Sequence, residues 1–248
     1  MKSPVLLVLA CLFTIVPAAR ATVTETVNKA FPLAPGGVVH LDNVNGDIDI
    51  VAWDKAEVSI VAEKRAKTEE DLHKVAIEID SAPEKLSIHT KYEKSGWFRG
   101  SVNASVRYKL MVPADTQLHK IDAVNSDITV TGVRGSVDLD TVNGRITATG
   151  LAGDARLDSV NGSLSAEFAS LDGVQKVKLD SVNGRASIVL PKGAGARIDA
   201  DSVNGGISID QAVKLGQVHH HSLNGQIGSG GPDISLETVN GGISIKEK

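Results

Sequence analysis

Apolar and polar positions alternate along most of the chain. In "LDSVNGRASIVL", residues 179–190, Leu179, Ala186, Ile188 and Leu190 keep a two-residue period on either side of an Asn-Gly pair, with charged and hydroxyl residues between them. A period of two marks a strand with one buried face, and Asn-Gly marks a tight corner. The phrase returns as "LDNVNGDIDI", "IDAVNSDITV", "LDTVNGRITA", "LDSVNGSLSA", "ADSVNGGISI", "HHSLNGQIGS" and "LETVNGGISI". Each copy is predicted to form a strand, a corner and a second strand.

The corner asparagines are Asn45, Asn125, Asn143, Asn161, Asn183, Asn204, Asn224 and Asn240. After the first, they are spaced 18, 18, 22, 21, 20 and 16 residues apart, a period typical of stacked repeats. Four residues before the Asn, the column reads Leu41, Ile121, Leu139, Leu157, Leu179, Ala200, His220, Leu236; three after it, Ile48, Ile128, Ile146, Leu164, Ala186, Ile207, Ile227, Ile243. Asn-Gly also signals a hairpin, but a hairpin meander would pair unlike columns. Here each column matches itself, as stacking in parallel requires. The fold class is therefore all-β: a single-stranded parallel β-solenoid of serial rungs, right-handed by the crossover rule. Seven rungs from Asn125 to Asn240 would extend about 29 Å at ~4.8 Å each. Glycine at the corner reaches positive φ cheaply, although Ser126 replaces it once. Stacked Asn amides can also hydrogen-bond from rung to rung, forming a turn ladder.

Eighty residues separate Asn45 from Asn125, too many for one coil. "EVSIVAEKRA", "VAIEID", "KLSIHTKYE" and "VNASVRYKLMVP" read as strands, and "TEEDLHKVA" (68–76) as a short helix capped by Thr68. The expected organisation is residues 22–53 as N-terminal strands and first rung, 54–117 as a small mainly-β N-terminal cap with its helix, and 118–248 as the solenoid. The cap would close one end of the coil, and the charged "IKEK" terminus would protect the last edge strand at the other.

Composition places this fold in a compartment. Residues 1–21 combine a basic start, the apolar "PVLLVLACLFTIV" and a small-residue "ARA" site, the pattern of a secretory signal peptide. The apolar stretch is too short to span a membrane. The only cysteine, Cys11, lies within it, so the mature chain would carry no disulfide. Losing Lys2 and Arg20 with the leader takes the formal net charge from −4 to −6, and no basic block suggests nucleic acid. The expected location is exported: periplasm, cell surface or medium.

The leader, the opening "FPLAPGGVVHLDNVNGDIDIVAWDKAEVSIVAEKRA", the helix-bearing insertion, the Val112-Pro113 step and the serial "VNG-x-I" rungs together resemble a bacterial adhesin-like family, domain of unknown function 4097, over residues 30–245. The resemblance implies a β-solenoid on an envelope protein and no established catalytic residues.

Candidate chemistry lies in outward columns. Three residues before the Asn stand Asp42, Asp122, Asp140, Asp158, Asp180, Asp201, His221 and Glu237. Asp140, Asp158, Asp180 and Asp201 form a candidate binding stripe. It is either a solvated acidic face with flanking Lys120, Arg156 and Lys178, or a row of carboxylates bridged by Ca²⁺. His219 and His221 are candidate ligands for Zn²⁺ beside the acidic column, the plain alternative being an irregular rung. Val142, Val160 and Val182 precede the Asn and are outside by strict alternation; a corner that reverses parity would bury them. Enzyme motifs are absent. The reading is a non-enzymatic adhesin-like binding or scaffolding protein without a required cofactor, whose partner is an envelope component or a second copy. The alternatives are a polysaccharide lyase or hydrolase, which the scarcity of aromatics (3%) disfavours, and a metal-binding envelope protein.

Overall fold

A computed structural model describes residues 22–93, 103–210, 217–218 and 221–248. The expected leader, Cys11 and His219 lie outside the described residues. The protein is all-β, with two large sheets of mixed strand orientation. In every repeat but that of Asn224, the strand before the Asn joins an 11-stranded front sheet, and the strand after it joins a 10-stranded back sheet. Leu41, Ile121, Leu139, Leu157, Leu179 and Leu236 line the inner side of the front sheet at 0% exposure. Ile48, Ile128, Ile146, Leu164, Ala186 and Ile243 are equally buried from the back sheet. Each strand thus buries one face, which is what its alternation predicts.

Stacking is parallel and in column. Leu139 pairs with Ile121 and Leu157, and Leu157 pairs with Leu179. Ile48 pairs with Ile128 across the long insertion. The expected helix forms over Glu69–His73, with Thr68 Oγ1 accepting from the Asp71 amide at 3.1 Å. The inserted strands extend both sheets at the same end, beyond the first rung. Lys85–Tyr92 pairs in parallel with Val38–Asn45 in the front sheet, and Ala104–Pro113 with Ile48–Trp53 in the back. Beyond them Val75–Ala82, Glu57–Ala66 and Val23–Pro32 add antiparallel strands.

Three expectations are corrected. The rungs are not serial: the Asn240 rung lies between those of Asn183 and Asn204 in both sheets. One set of charges suits this order. Asp233 stands between Lys176 and Arg197, ion-paired to Arg197 at 2.6 Å, whereas serial stacking would set the two cations side by side. The C-terminal strand Ile243–Glu247 is consequently not an edge, and Lys248 pairs with Glu167 at 2.6 Å. The Asn224 repeat is not a rung. Its strand Ser222–Ile227 runs antiparallel to Ala196–Ser202, with Asn224 opposite Asp199 and Leu223 buried opposite Ala200. In a strand, changing which residues face inward carries every second side chain with it.

The corner glycines serve close packing more than positive φ. Gly46 alone among the corner glycines has a positive φ (109°). At Gly144 and Gly162 an added Cβ would lie 1.9 and 1.7 Å from the carbonyl oxygen of the previous corner, a separation only a missing side chain permits.

Candidate binding face

Two hydrogen-bond ladders hold the corners in register. Asn125 donates from Nδ2 to Asn45 Oδ1, and the pattern continues through Asn143, Asn161, Asn183, Asn240 and Asn204, each bond 2.8–2.9 Å long. All six point the same way, so each polarises the next. Asn224 stands outside this ladder. The second ladder is buried. Thr141, Ser159, Ser181, Thr238 and Ser202 face inward and donate their hydroxyls to the preceding corner's carbonyl at 2.9–3.2 Å. Ala123 cannot donate, and there Asn43 Nδ2 reaches Gly46 O at 2.7 Å instead. These small polar residues therefore belong inside, where they satisfy carbonyls that would otherwise be orphaned.

With the hydroxyls inside, alternation puts valine outside. Val142, Val160 and Val182 are 40–42% exposed, and Val44, Val124, Val239 and Val203 continue the stripe. Beside it runs the acidic column, in the spatial order Asp42, Asp122, Asp140, Asp158, Asp180, Glu237, Asp201. The two columns line a shallow groove of about 620 Å³ along the front sheet. Asp140, Asp158, Asp180 and Asp201 all border it.

Cations meet this column unevenly. Arg156 pairs with Asp158 at 2.7 Å and reaches Asp138 at 3.7 Å. Lys178 pairs with Asp180, and His89 Nδ1 with Asp42 Oδ2, each at 2.5 Å. No cation pairs with Asp140 among the described residues. Burial, then Asp158, Asp138 and Asp122, push its carboxyl from 3.8 up to about 7. A protonated Asp140 donates to the Asp158 carboxylate. Burial and the nearby Asp42 also raise Asp122. Burial raises Asp158 as well, against the pull of Arg156.

Asp138, Asp140 and Asp158 each offer an oxygen within 4.8 Å of the others, a spacing a hard cation could use. The Arg156 guanidinium already supplies positive charge to two of them. His221 is tied elsewhere, its Nδ1 2.9 Å from Gly205 O. Because its strand runs antiparallel, His221 does not enter the acidic column. The carboxylates lie in a row on one sheet face, whereas glycoside hydrolysis needs an acid and a base flanking a bond. Trp53 offers no bare platform for a sugar: Lys55 Nζ sits 4.6 Å over its ring.

A search of curated proteins finds no match. Among solved structures, a candidate cell adhesion protein from Clostridium sporogenes ATCC 15579 superposes with a TM-score of 0.52 at 14% identity, covering 90% of this chain and 100% of that one. A candidate adhesin from Bacteroides fragilis NCTC 9343 matches at 12% identity and a TM-score of 0.38, covering 90% and 97%. The first of these likenesses is one of fold. The family model described as Toastrack DUF4097 matches residues 39–246, and with that span of stacked rungs the chain belongs to the Toastrack DUF4097 family.

Proposed function

We propose that this chain is a non-enzymatic binding or scaffolding protein of the bacterial envelope, a short solenoid whose partner docks on the outer face of the front sheet. The observation that carries the reading is the juxtaposition of six carboxylates with five outward valines along one groove. A row of exposed valines on a sheet that hydrogen bonds do not require to be apolar is a docking feature. The neighbouring acids select the partner's charge. The occupant is another envelope protein presenting Lys or Arg side chains beside an apolar strip. Anionic lipid and nucleic acid would be repelled by the same column. Export, expected from residues 1–21, brings the two together, and the adhesion named for the Clostridium structure accords with this role.

The test is capture from envelope extracts on immobilised residues 22–248, followed by rebinding of the purified partner. Changing Asp140, Asp158 and Asp180 to Asn should weaken rebinding and flatten its salt dependence. Changing Val142, Val160 and Val182 to Ser should abolish it while the fold persists. Wild-type rebinding by both triple variants would overturn the proposal. So would cleavage of an envelope polysaccharide that is lost on a single carboxylate change.

A further inference from the structure

One strand of the front sheet departs from the regular pattern. Gln117–Asn125 pairs with Val38–Asn45 through Leu118 and Val39, then through Ile121 and Leu41. Two residues, His119 and Lys120, therefore stand opposite the single residue His40. Lys120 has a φ of 60°, the only positive φ of a non-glycine among the described residues. A bulge with a residue in this region is held by its surroundings and re-aims a neighbouring side chain. Here it sets the His119 ring against His40, with centroids 5.1 Å apart and planes tilted by 49°.

That separation suits a shared ion. With a Zn–N bond of about 2.0–2.1 Å, each ring centroid sits about 3.2 Å from the metal, and a tetrahedral angle then places the centroids about 5.2 Å apart. Imidazole pairs also pack edge-to-face without any ion, so the distance needs its surroundings. Asp42 lies two residues beyond His40 on the same face, paired with His89 from the next strand, and Asp122 follows on the bulged strand. Their negative charge favours a cation, against the opposing charges of Lys85 and Lys120. Among the described residues, three ligand atoms converge within 4.8 Å only at Asp138, Asp140 and Asp158. The histidine pair thus supplies two protein ligands and leaves the other positions to water. Two imidazoles with water suit a borderline transition ion rather than Ca²⁺.

We propose that His40 and His119 form a two-imidazole site for a divalent transition-metal ion, Zn²⁺ or Cu²⁺, at the N-terminal end of the front sheet. The site adjoins the Asp42–Asp122 end of the acidic column but takes its ligands from neither that column nor the valines, and it stands or falls independently of the partner proposed for them.

ZnCl₂ titrated into residues 22–248 in a calorimeter should bind saturably at one equivalent. His119→Gln and His40→Gln should each weaken that binding at least about tenfold, while Asp138→Asn with Asp140→Asn should leave it unchanged. In the wild type, Zn²⁺ should shift the imidazole signals of His40 and His119 in nuclear magnetic resonance before those of other histidines, a readout that needs no variant to fold. Cu²⁺ should show two coordinated nitrogens in electron paramagnetic resonance. The proposal is overturned by unchanged binding in both His variants, by loss of binding in the Asp variant, or by the absence of saturable binding in the wild type.

Discussion

Replacing Asp140 with Asn should stabilise the protein, and the gain should depend on pH. In the folded state burial and three neighbouring acids push this carboxyl up to about 7 from its ordinary 3.8. A raised acid holds its proton more tightly when folded than when unfolded. Its contribution to stability is complete below 3.8 and is lost as pH rises through 7. Each tenfold change in proton affinity corresponds to about 1.36 kcal/mol, so the gap sets a ceiling of about 4 kcal/mol. The groove is open, and solvent screening lowers this to about 1–2 kcal/mol. Asn cannot ionise, and its amide can donate to Asp158 as the protonated acid does. Asp140→Asn should therefore match the wild type near pH 4, gain between pH 4 and 7, and hold the full advantage above that. For a chain of this size, about 1–2 kcal/mol is about 2–8 °C in melting temperature. Calorimetry of both proteins across that range supplies the comparison, and histidine titrations shared by the two cancel in the difference. A pH-independent difference, or a less stable variant at pH 8, would refute the reasoning.

Three other measurements examine the scaffold. Leu179→Ala should cost about 2–5 kcal/mol in denaturant unfolding, while the outward Ser187→Ala should stay within about 0.5 kcal/mol. Ser159→Ala should cost about 1 kcal/mol, because it leaves the Gly144 carbonyl without its donor. Gly162→Ala should cost more, because its Cβ meets that same carbonyl at 1.7 Å. Rung order can be read by cross-linking. Ser187→Cys should form a disulfide with Ser244→Cys, its partner across the sheet, and not with Ser208→Cys, which the Ile243–Glu247 strand separates from it. The reverse pattern would restore serial stacking.

Much of this molecule is local, and local features can be read from residue order. Alternation names the inward Leu and Ile columns, the self-matching of columns implies parallel stacking, and Thr68 followed by three acids marks the short helix. The conflict between the Ser/Thr and Val columns required packing to resolve it. Both alternate equally well, and only the rung-to-rung approach of Ser159 to the Gly144 carbonyl puts the hydroxyl inside and the valine outside. The displaced Asn240 rung had a signal in Asp233, whose charge opposes Lys176 and Arg197, but a periodic column cannot say which copies are neighbours. The departure of the Asn224 repeat was foreshadowed by Leu223 where seven repeats carry Val. The meeting of His40 with His119 had no such signal, because a bulge is an offset between two strands and exists only once they are paired. By itself, then, the sequence determined strands, corners and the inner faces, since these depend on residues a few positions apart. Tertiary structure decided rung order, the identity of the outward stripe, the high proton affinity of Asp140 and the histidine pair, since each arises from the field or contact of strands distant along the chain.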